Sequence, residues 1–367
     1  MNPAGVRKVL VIGSGSEGSF ALTSAPETRF RKSFILPRGY PCADILLHLK
    51  CSVAPMEIHL ADLPEDFIIK LDDGFRRSLF ESLDYNSAPV QLGVSKSYFY
   101  HLKNGRHGIR LSTLKKLLSL HGLSCIDAES RVLKIISSRG GKVFVHFPII
   151  ESVALAGLVG HCFGDGNISS KKAEFDYVNG DLQLIERVKT DVEAVFHSFP
   201  TYSGSNGDGT CKVSFSSLVG RILEIAGAPR GRKVFSILSV PDWIMAGTME
   251  LKKAFLQALF DDDGSVLYSE NYAARNVNLH FTRANSIDLD FILYLEDIRK
   301  LLADFGIVST RPYVARRYHV GDCERVVRGI IVNRKYDVRQ FYNKINFTQK
   351  IKAQRLHKAV LRGDEHT

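Results

Sequence analysis

The stretch LAGLVGHCFGDG, Leu155 to Gly166, has a counterpart farther along the chain in AFLQALFDDDG, Ala254 to Gly264. Both read as amphipathic helices that end in Asp-Gly and run into a strand. Each is followed by a strand-rich stretch and a second helix, Leu182 to Phe196 in the first copy and Leu289 to Phe305 in the second. Small residues recur about one turn apart at Ala156, Gly157 and Gly160, and at Ala254 and Ala258, so the two helix backbones can approach closely. That packing brings the C-terminal ends of both helices together and predicts that Asp165 and Asp263 face each other there. Two carboxylates at the negative ends of helix dipoles repel unless a cation lies between them. A hard, oxygen-seeking ion, Mg²⁺ (or Mn²⁺), suits such a site.

Aligned on their Asp-Gly pairs, Leu158–Gly166 (LVGHCFGDG) and Leu256–Gly264 (LQALFDDDG) resemble the two LAGLIDADG motifs of homing endonucleases. The resemblance spans roughly residues 148 to 358. Within it Lys233–Trp243 (KVFSILSVPDW) is similar to the Lys-then-Pro segment ahead of the second motif in two-motif members, and Ile345-Asn346-Phe347 with Lys350 and Lys352 to their closing segment. The resemblance implies an α+β fold: a pseudo-twofold pair of αββαββα repeats with a central helix pair and antiparallel sheets that face DNA. It implies a monomeric, metal-dependent endonuclease that cuts both strands of duplex DNA across the minor groove. Asp165, Asp263, Gly164 and Asp262 would attend the metal, and Lys233 with Lys350 or Lys352 would serve the scissile phosphates.

Two departures from the motif stand out. The first copy carries His161 and Phe163 where apolar and acidic residues are usual, and a core role for His161 is the expectation. In the second copy Asp261 and Asp262 crowd Asp263, one of them to cap or to face solvent. Recognition falls to the strands after each motif, where alternation would put Asn167, Ser169 and Lys171 on one face, and Arg311, Tyr313 and Ala315 on another. Arg275, Arg283, Arg316 and Arg328 join them on charge and position.

Ahead of this region, Phe75 to Leu123 is helical in pattern. The expected helices are Phe75 to Leu83, Ala88 to Leu92, Lys96 to Lys103 and Leu111 to Leu120, with Gly93-Val94-Ser95 as the turn and Ser95 as an N-cap. The run resembles phage-repressor helix-turn-helix domains, which puts Lys96, Ser97, Tyr98 and His101 near bases or phosphates. The expected division is a segment of unclear fold at 1–70, a small all-α helix-turn-helix domain at 71–125, and a catalytic domain at 140–363 with repeats at about 148–245 and 246–358. Gly13-Ser14-Gly15-Ser16-Glu17-Gly18 matches G-x-G-x-x-G, but no helix-forming stripe follows, so it reads as a turn.

The chain of 367 residues carries a net charge of +10, and residues 271–367 alone hold 18 Lys and Arg against 10 Asp and Glu, which favours a polyanionic partner. No apolar run is long enough to cross a bilayer. Six scattered cysteines without a C-x-x-C pair suggest neither zinc nor a disulfide framework and fit a reducing, intracellular, prokaryote-like setting. Self-splicing as an intein is disfavoured, because the expected splicing residues are missing at both ends. The rival readings are a DNA-binding regulator that does not cut, or an RNA maturase, on the same scaffold.

Overall fold

The computed structural model describes residues 55–137, 141–268 and 275–361, together with the backbone of three short strands nearer the N-terminus. Those strands, Val9–Val11, Ser19–Thr23 and Ser33–Ile35, form an antiparallel sheet in which Val9 pairs with Thr23 and Ser19 with Ile35. The run Gly13 to Gly18 lies outside the described residues. A strand follows it where a phosphate-binding helix would have to start.

The described residues from Pro55 onward pack as one unit. Its first part holds the expected short helices, Asp73–Glu81, Ala88–Leu92, Lys96–Lys103 and Leu111–Leu120. Asp72 starts the first by accepting the Phe75 N–H at 2.8 Å, and Ser95 starts the third by accepting the Tyr98 N–H at 3.1 Å. Gly93, at φ +69°, takes the left-handed conformation that ends the second helix and makes the tight turn. Leu111, Leu114, Leu117 and Leu118 are buried on one face, as their spacing requires.

The segment is not all-α, however. Its helices are framed by a four-stranded sheet in the order Ile109–Arg110, Ile68–Leu71, Val132–Ile136, Lys142–Val143. Ile68–Leu71, Val132–Ile136 and Lys142–Val143 lie outside the helical pattern, and Ile109–Arg110 is too short to show alternation within it. Beyond this sheet, Ile149–Ile150 pairs with Glu57–Ile58.

The rest is a duplicated α+β unit. The first copy runs helix Val153–Phe163, strands Asn167–Ile168 and Phe175–Asn179, helix Leu182–Phe196, strands Tyr202–Ser205 and Cys211–Phe215, helix Ser217–Ile225. The second runs helix Met249–Asp263, strands Gly264–Tyr268 and Arg275–Ala284, helix Asp288–Asp304, strands Tyr313–Val320 and Cys323–Val332, helix Lys335–Lys344, and adds Lys350–Leu361. Both four-stranded antiparallel sheets connect their strands in the order first, second, fourth, third. The same order of elements and the same sheet topology twice over is the αββαββα pair that the sequence predicts.

The two motif helices pack against each other at the centre. Gly160 sits at the crossing: a Cβ there would lie 2.6 Å from the Phe255 carbonyl oxygen and 2.9 Å from the Ala258 Cβ, so no larger residue fits. Every residue from Leu155 to Phe163 is buried, so the first motif helix is enclosed on all sides and not amphipathic as expected. Phe163 stacks on Tyr294 with centroids 5.6 Å apart, and a phenylalanine at that motif position is thereby absorbed into the core.

Candidate active site

Asp165 follows the end of the first motif helix, and Asp263 is the last residue of the second. The two motif ends meet, with the Asp165 N–H bonded to the Asp262 carboxylate at 3.0 Å. Burial, together with the negative charge of Asp262, pushes Asp165 up to about 6. Asp263 is pushed up to about 7, first by burial and next by the charge of Asp165 itself. Asp165 reaches solvent on one side while protein crowds the other, so the pair is open to a ligand from outside.

A lysine closes the carbonyl end of each motif helix. Lys233 Nζ donates to the carbonyls of Cys162 at 3.2 Å and Gly166 at 2.8 Å, and to that of Gly164. Lys352 Nζ donates to Phe260 at 3.3 Å, Asp261 at 2.5 Å and Asp262 at 3.3 Å. Both ammonium groups sit where helix dipoles and nearby carboxylates favour positive charge. Burial nevertheless prevails and lowers both lysine pKa values.

The two lysines arrive by different routes. Lys233 follows a chain segment laid beside the strand after the first motif, where Arg230 bridges to Ile168 and the Gly231 N–H bonds the Ile168 carbonyl at 2.8 Å. Lys352 is in the first turn of the helix Lys350–Leu361. That helix start is held by the Asp261 carboxylate, which accepts the Thr348 N–H at 2.9 Å and the Gln349 N–H at 3.0 Å. Asp261 is therefore the capping member of the Asp triplet. Lys350 is exposed and shares none of these contacts, so of the two candidate lysines only Lys352 stands at the site.

Asp262 is the residue that the sequence misplaces. Its side chain is fully buried. It accepts from His161 Nδ1 at 3.0 Å, from the Tyr177 hydroxyl at 2.7 Å and from the Asp165 backbone N–H at 3.0 Å. Burial opposes charge on His161, but the bonded Asp262 carboxylate outweighs it and the pKa is raised. His161 is indeed a buried core residue, and its core role is to pair with a carboxylate. The paired departures at motif positions four and seven, His161 in one copy and Asp262 in the other, were the available signal.

Four DNA-contact expectations need correction. Arg328 is 9% exposed and forms two 2.6 Å bonds to Asp288, a structural ion pair. Arg283 is 5% exposed, lies against Phe281 and Phe291, and contributes positive charge beside Asp263 instead of reading bases. The strand after the first motif is only Asn167–Ile168; Ser169 and Lys171 belong to a turn in which the Ala173 N–H bonds the Ser169 carbonyl. In the second copy the strand starts at Tyr313, past Arg311, and a bulge between Val314 and Arg316 breaks the alternation that placed Ala315 with Tyr313.

Other expected contacts remain on the surface. Asn167, Lys171 and Arg316 are exposed, as are Lys96 and Ser97, with Tyr98 and His101 partly buried. Lys171 lines a cavity of about 260 Å³ whose other cations include Arg221, already bonded twice to Asp66 at 2.7 Å. Arg275 opens its strand. The four described cysteines, Cys125, Cys162, Cys211 and Cys323, are free thiols. No helix among the described residues is long and apolar enough to cross a membrane.

Residues 250–346, which contain the second motif and its repeat, match the family model of the LAGLIDADG-like domain. Over those residues the chain carries a LAGLIDADG-like domain. Among curated proteins it is 27% identical over 237 residues to the tRNA-splicing ligase RtcB of Methanopyrus kandleri, covering 60% of this chain and 23% of that protein. It is 26% identical over 223 residues to the DNA-directed RNA polymerase subunit Rpo1N of Methanocaldococcus jannaschii, covering 55% of this chain and 16% of that one. The chain thus spans a quarter or less of the length of these curated relatives. Solved structures with a similar fold include the homing endonuclease I-DmoI in complex with DNA and Ca, at 13% identity and a TM-score of 0.37 over 57% of this chain and 100% of that one. Full-length DUF199/WhiA from Thermatoga maritima matches at 12% identity and a TM-score of 0.35, over 57% of this chain and 60% of that one.

Among the described residues no group of three or more His, Cys, Asp and Glu side chains is arranged to hold an ion. Asp165 and Asp263 could nonetheless offer two carboxylates to one divalent ion that keeps several water ligands, as Mg²⁺ does. Neither Gly164 nor Asp262 adds to that set in this arrangement. Both backbone carbonyls accept from lysines, and the Asp262 carboxylate is engaged on both oxygens.

Proposed function

We propose that this protein is a site-specific endonuclease that hydrolyses phosphodiester bonds in duplex DNA with a divalent ion held between Asp165 and Asp263. One observation carries the reading: the ends of the two motif helices meet, the Asp165 N–H bonding the carboxylate of Asp262, the neighbour of Asp263, at 3.0 Å, and the charge of Asp165 is among the causes that raise Asp263. An ionised pair so placed is favourable only with a cation beside it. The chemistry supplied by a bound divalent ion is Lewis acidity, which acidifies water and offsets charge on phosphate.

The chain's own groups divide the remaining tasks. Asp165 and Asp263 hold the ion and must be ionised to do so. Lys233 and Lys352, one in each half, offer positive charge to a phosphate on either strand. Asn167 and Arg316, on the two sheets, and Lys96, Ser97, Tyr98 and His101, on the helix after the tight turn, are the proposed DNA contacts. Net positive charge makes binding strongly salt-dependent.

The test is cleavage of a randomised plasmid library in Mg²⁺ or Mn²⁺, comparing the parent with Asp165→Asn and Asp263→Asn. Cuts at a defined sequence that both substitutions abolish are the expected result. A parent that binds a defined DNA sequence yet nicks nothing across metals and salt would instead mark a regulator on the same scaffold.

A further inference from the structure

The two halves differ at one seat between the helix ends. Counting from the shared Asp-Gly, Gly164 in the first motif occupies the position of Asp262 in the second, and His161 that of Leu259. The Asp262 carboxylate lies across the interface against Gly164: a Cβ on Gly164 would fall 2.4 Å from Asp262 Oδ2 and 2.5 Å from its Cβ. One half can present a carboxylate here only because the other presents no side chain. The strand registers extend the mismatch. Asn167 pairs with Asp176 and Ser265 with Asn278, so Tyr177 corresponds to Leu279 and Asn179 to Phe281.

All these polar differences converge on Asp165. Its N–H donates to Asp262, which is tied in turn by His161 and Tyr177. Its side chain accepts from Asn179 at 2.9 Å, and Asn179 also reaches the Tyr177 hydroxyl at 3.3 Å. Asp263 has none of these partners: an apolar Leu279 and Phe281 stand at the matching places, and buried Arg283 supplies charge instead.

We infer that Asp262, seated against Gly164 and anchored by His161 and Tyr177, is a positioning residue for Asp165, and that the two half-sites therefore depend on different machinery. The inference rests on the nuclease reading for its consequence, a strand-specific defect, but not for its structural content. Loss of the anchor should slow cutting of the strand served by the Asp165 half more than cutting of the other strand. The order and ratio of the two nicks then report on Asp262, although it touches neither DNA nor ion.

Two variants isolate the effect. His161→Leu/Asp262→Ala removes both charges at once and leaves no buried ion unpaired. Gly164→Ala keeps every charge and displaces the Asp262 carboxylate by bulk alone. Two readouts are needed: nicking rates on a supercoiled substrate with each strand end-labelled separately, and hydrogen exchange at the Asp165 amide. The expected result for both variants is at least a tenfold change in the ratio of the two nicking rates, with at least tenfold faster exchange at Asp165 and unchanged protection in the middle of both motif helices. Equal slowing of both strands, or an Asp165 amide as protected as in the parent, overturns the inference. If the parent nicks no DNA, the nuclease reading falls, while the exchange result still decides whether Asp262 positions Asp165.

Discussion

The two repeats share the order of their elements, but they reach similar chemical ends by different means. In the first, the motif helix is apolar throughout, its acidic residue follows the helix end, and its lysine comes from a loop laid beside a strand. In the second, the helix ends in three consecutive aspartates: Asp261 caps the helix that brings Lys352, Asp262 crosses to the other half, and Asp263 is raised in part by the charge of Asp165. The difference teaches that a pseudo-twofold need only be obeyed where the chemistry sits. Away from it, one half can support the other, and here the second half supports both.

The largest expected effect would break the pairing of the lysines. Lys233→Ala and Lys352→Ala each remove a charge close to where phosphate would bind, and each should lower cleavage by on the order of 10²–10³ under saturating DNA. Single-turnover rates with gel-measured binding check this. If either variant loses binding alone and keeps its rate, that lysine only holds a helix end and the two halves are less alike than their geometry suggests.

A second prediction concerns stability and has a definite sign. Burial and the charge of Asp165 push Asp263 up to about 7 in the fold, well above the ordinary aspartate range, so the native state holds its proton where the unfolded chain has lost it. Stability contributed by this group is thus fully present below about 4 and falls as pH rises to about 7, after which it is level. Asp263→Asn, which never ionises, should be the more stable protein at pH 8 by on the order of 2–4 kcal/mol, with the advantage fading as pH is lowered. Thermal unfolding across pH in the presence of a chelator tests it. Added Mg²⁺ should narrow the gap by stabilising the parent and not the variant.

Most of the core was legible because it is written in periods. The helices Leu182–Phe196 and Lys96–Lys103 fall where apolar spacing and caps put them, and the small residues at Gly160 and Ala258 announced the close crossing. What stayed hidden depends on pairs far apart in sequence. That Asp262 turns inward follows only once His161, Tyr177 and Gly164 are known to surround it. Arg328 and Arg283 look like surface cations in a basic tail, because neither Asp288 nor the aromatic shelf of Phe281 and Phe291 can be assigned to them from local pattern. The sheet around the short helices was missed for a related reason: two-residue strands such as Ile109–Arg110 carry no alternation to read.

The smallest effect sharpens the comparison most directly, because it bears on how Lys352 is delivered. Asp261→Asn keeps an acceptor at the cap and removes its charge, whereas Asp261→Ala removes both. Loss of an N-cap costs about 1 kcal/mol in general, and the Ala variant should lose roughly that much stability. Asp261 is itself pushed up to about 6 by burial, so part of that loss is returned at neutral pH, where the buried charge is also gone. The Asn variant should accordingly be near neutral in stability, while the Ala variant frees the Thr348 and Gln349 amides and lets the first turn of the last helix fray. Amide exchange at those two residues distinguishes the cases. Because Lys233 reaches its half through a strand-bound loop with no such cap, fraying should weaken cutting on the Lys352 side alone; an equal loss on both strands would mean that the two lysines depend on a common support.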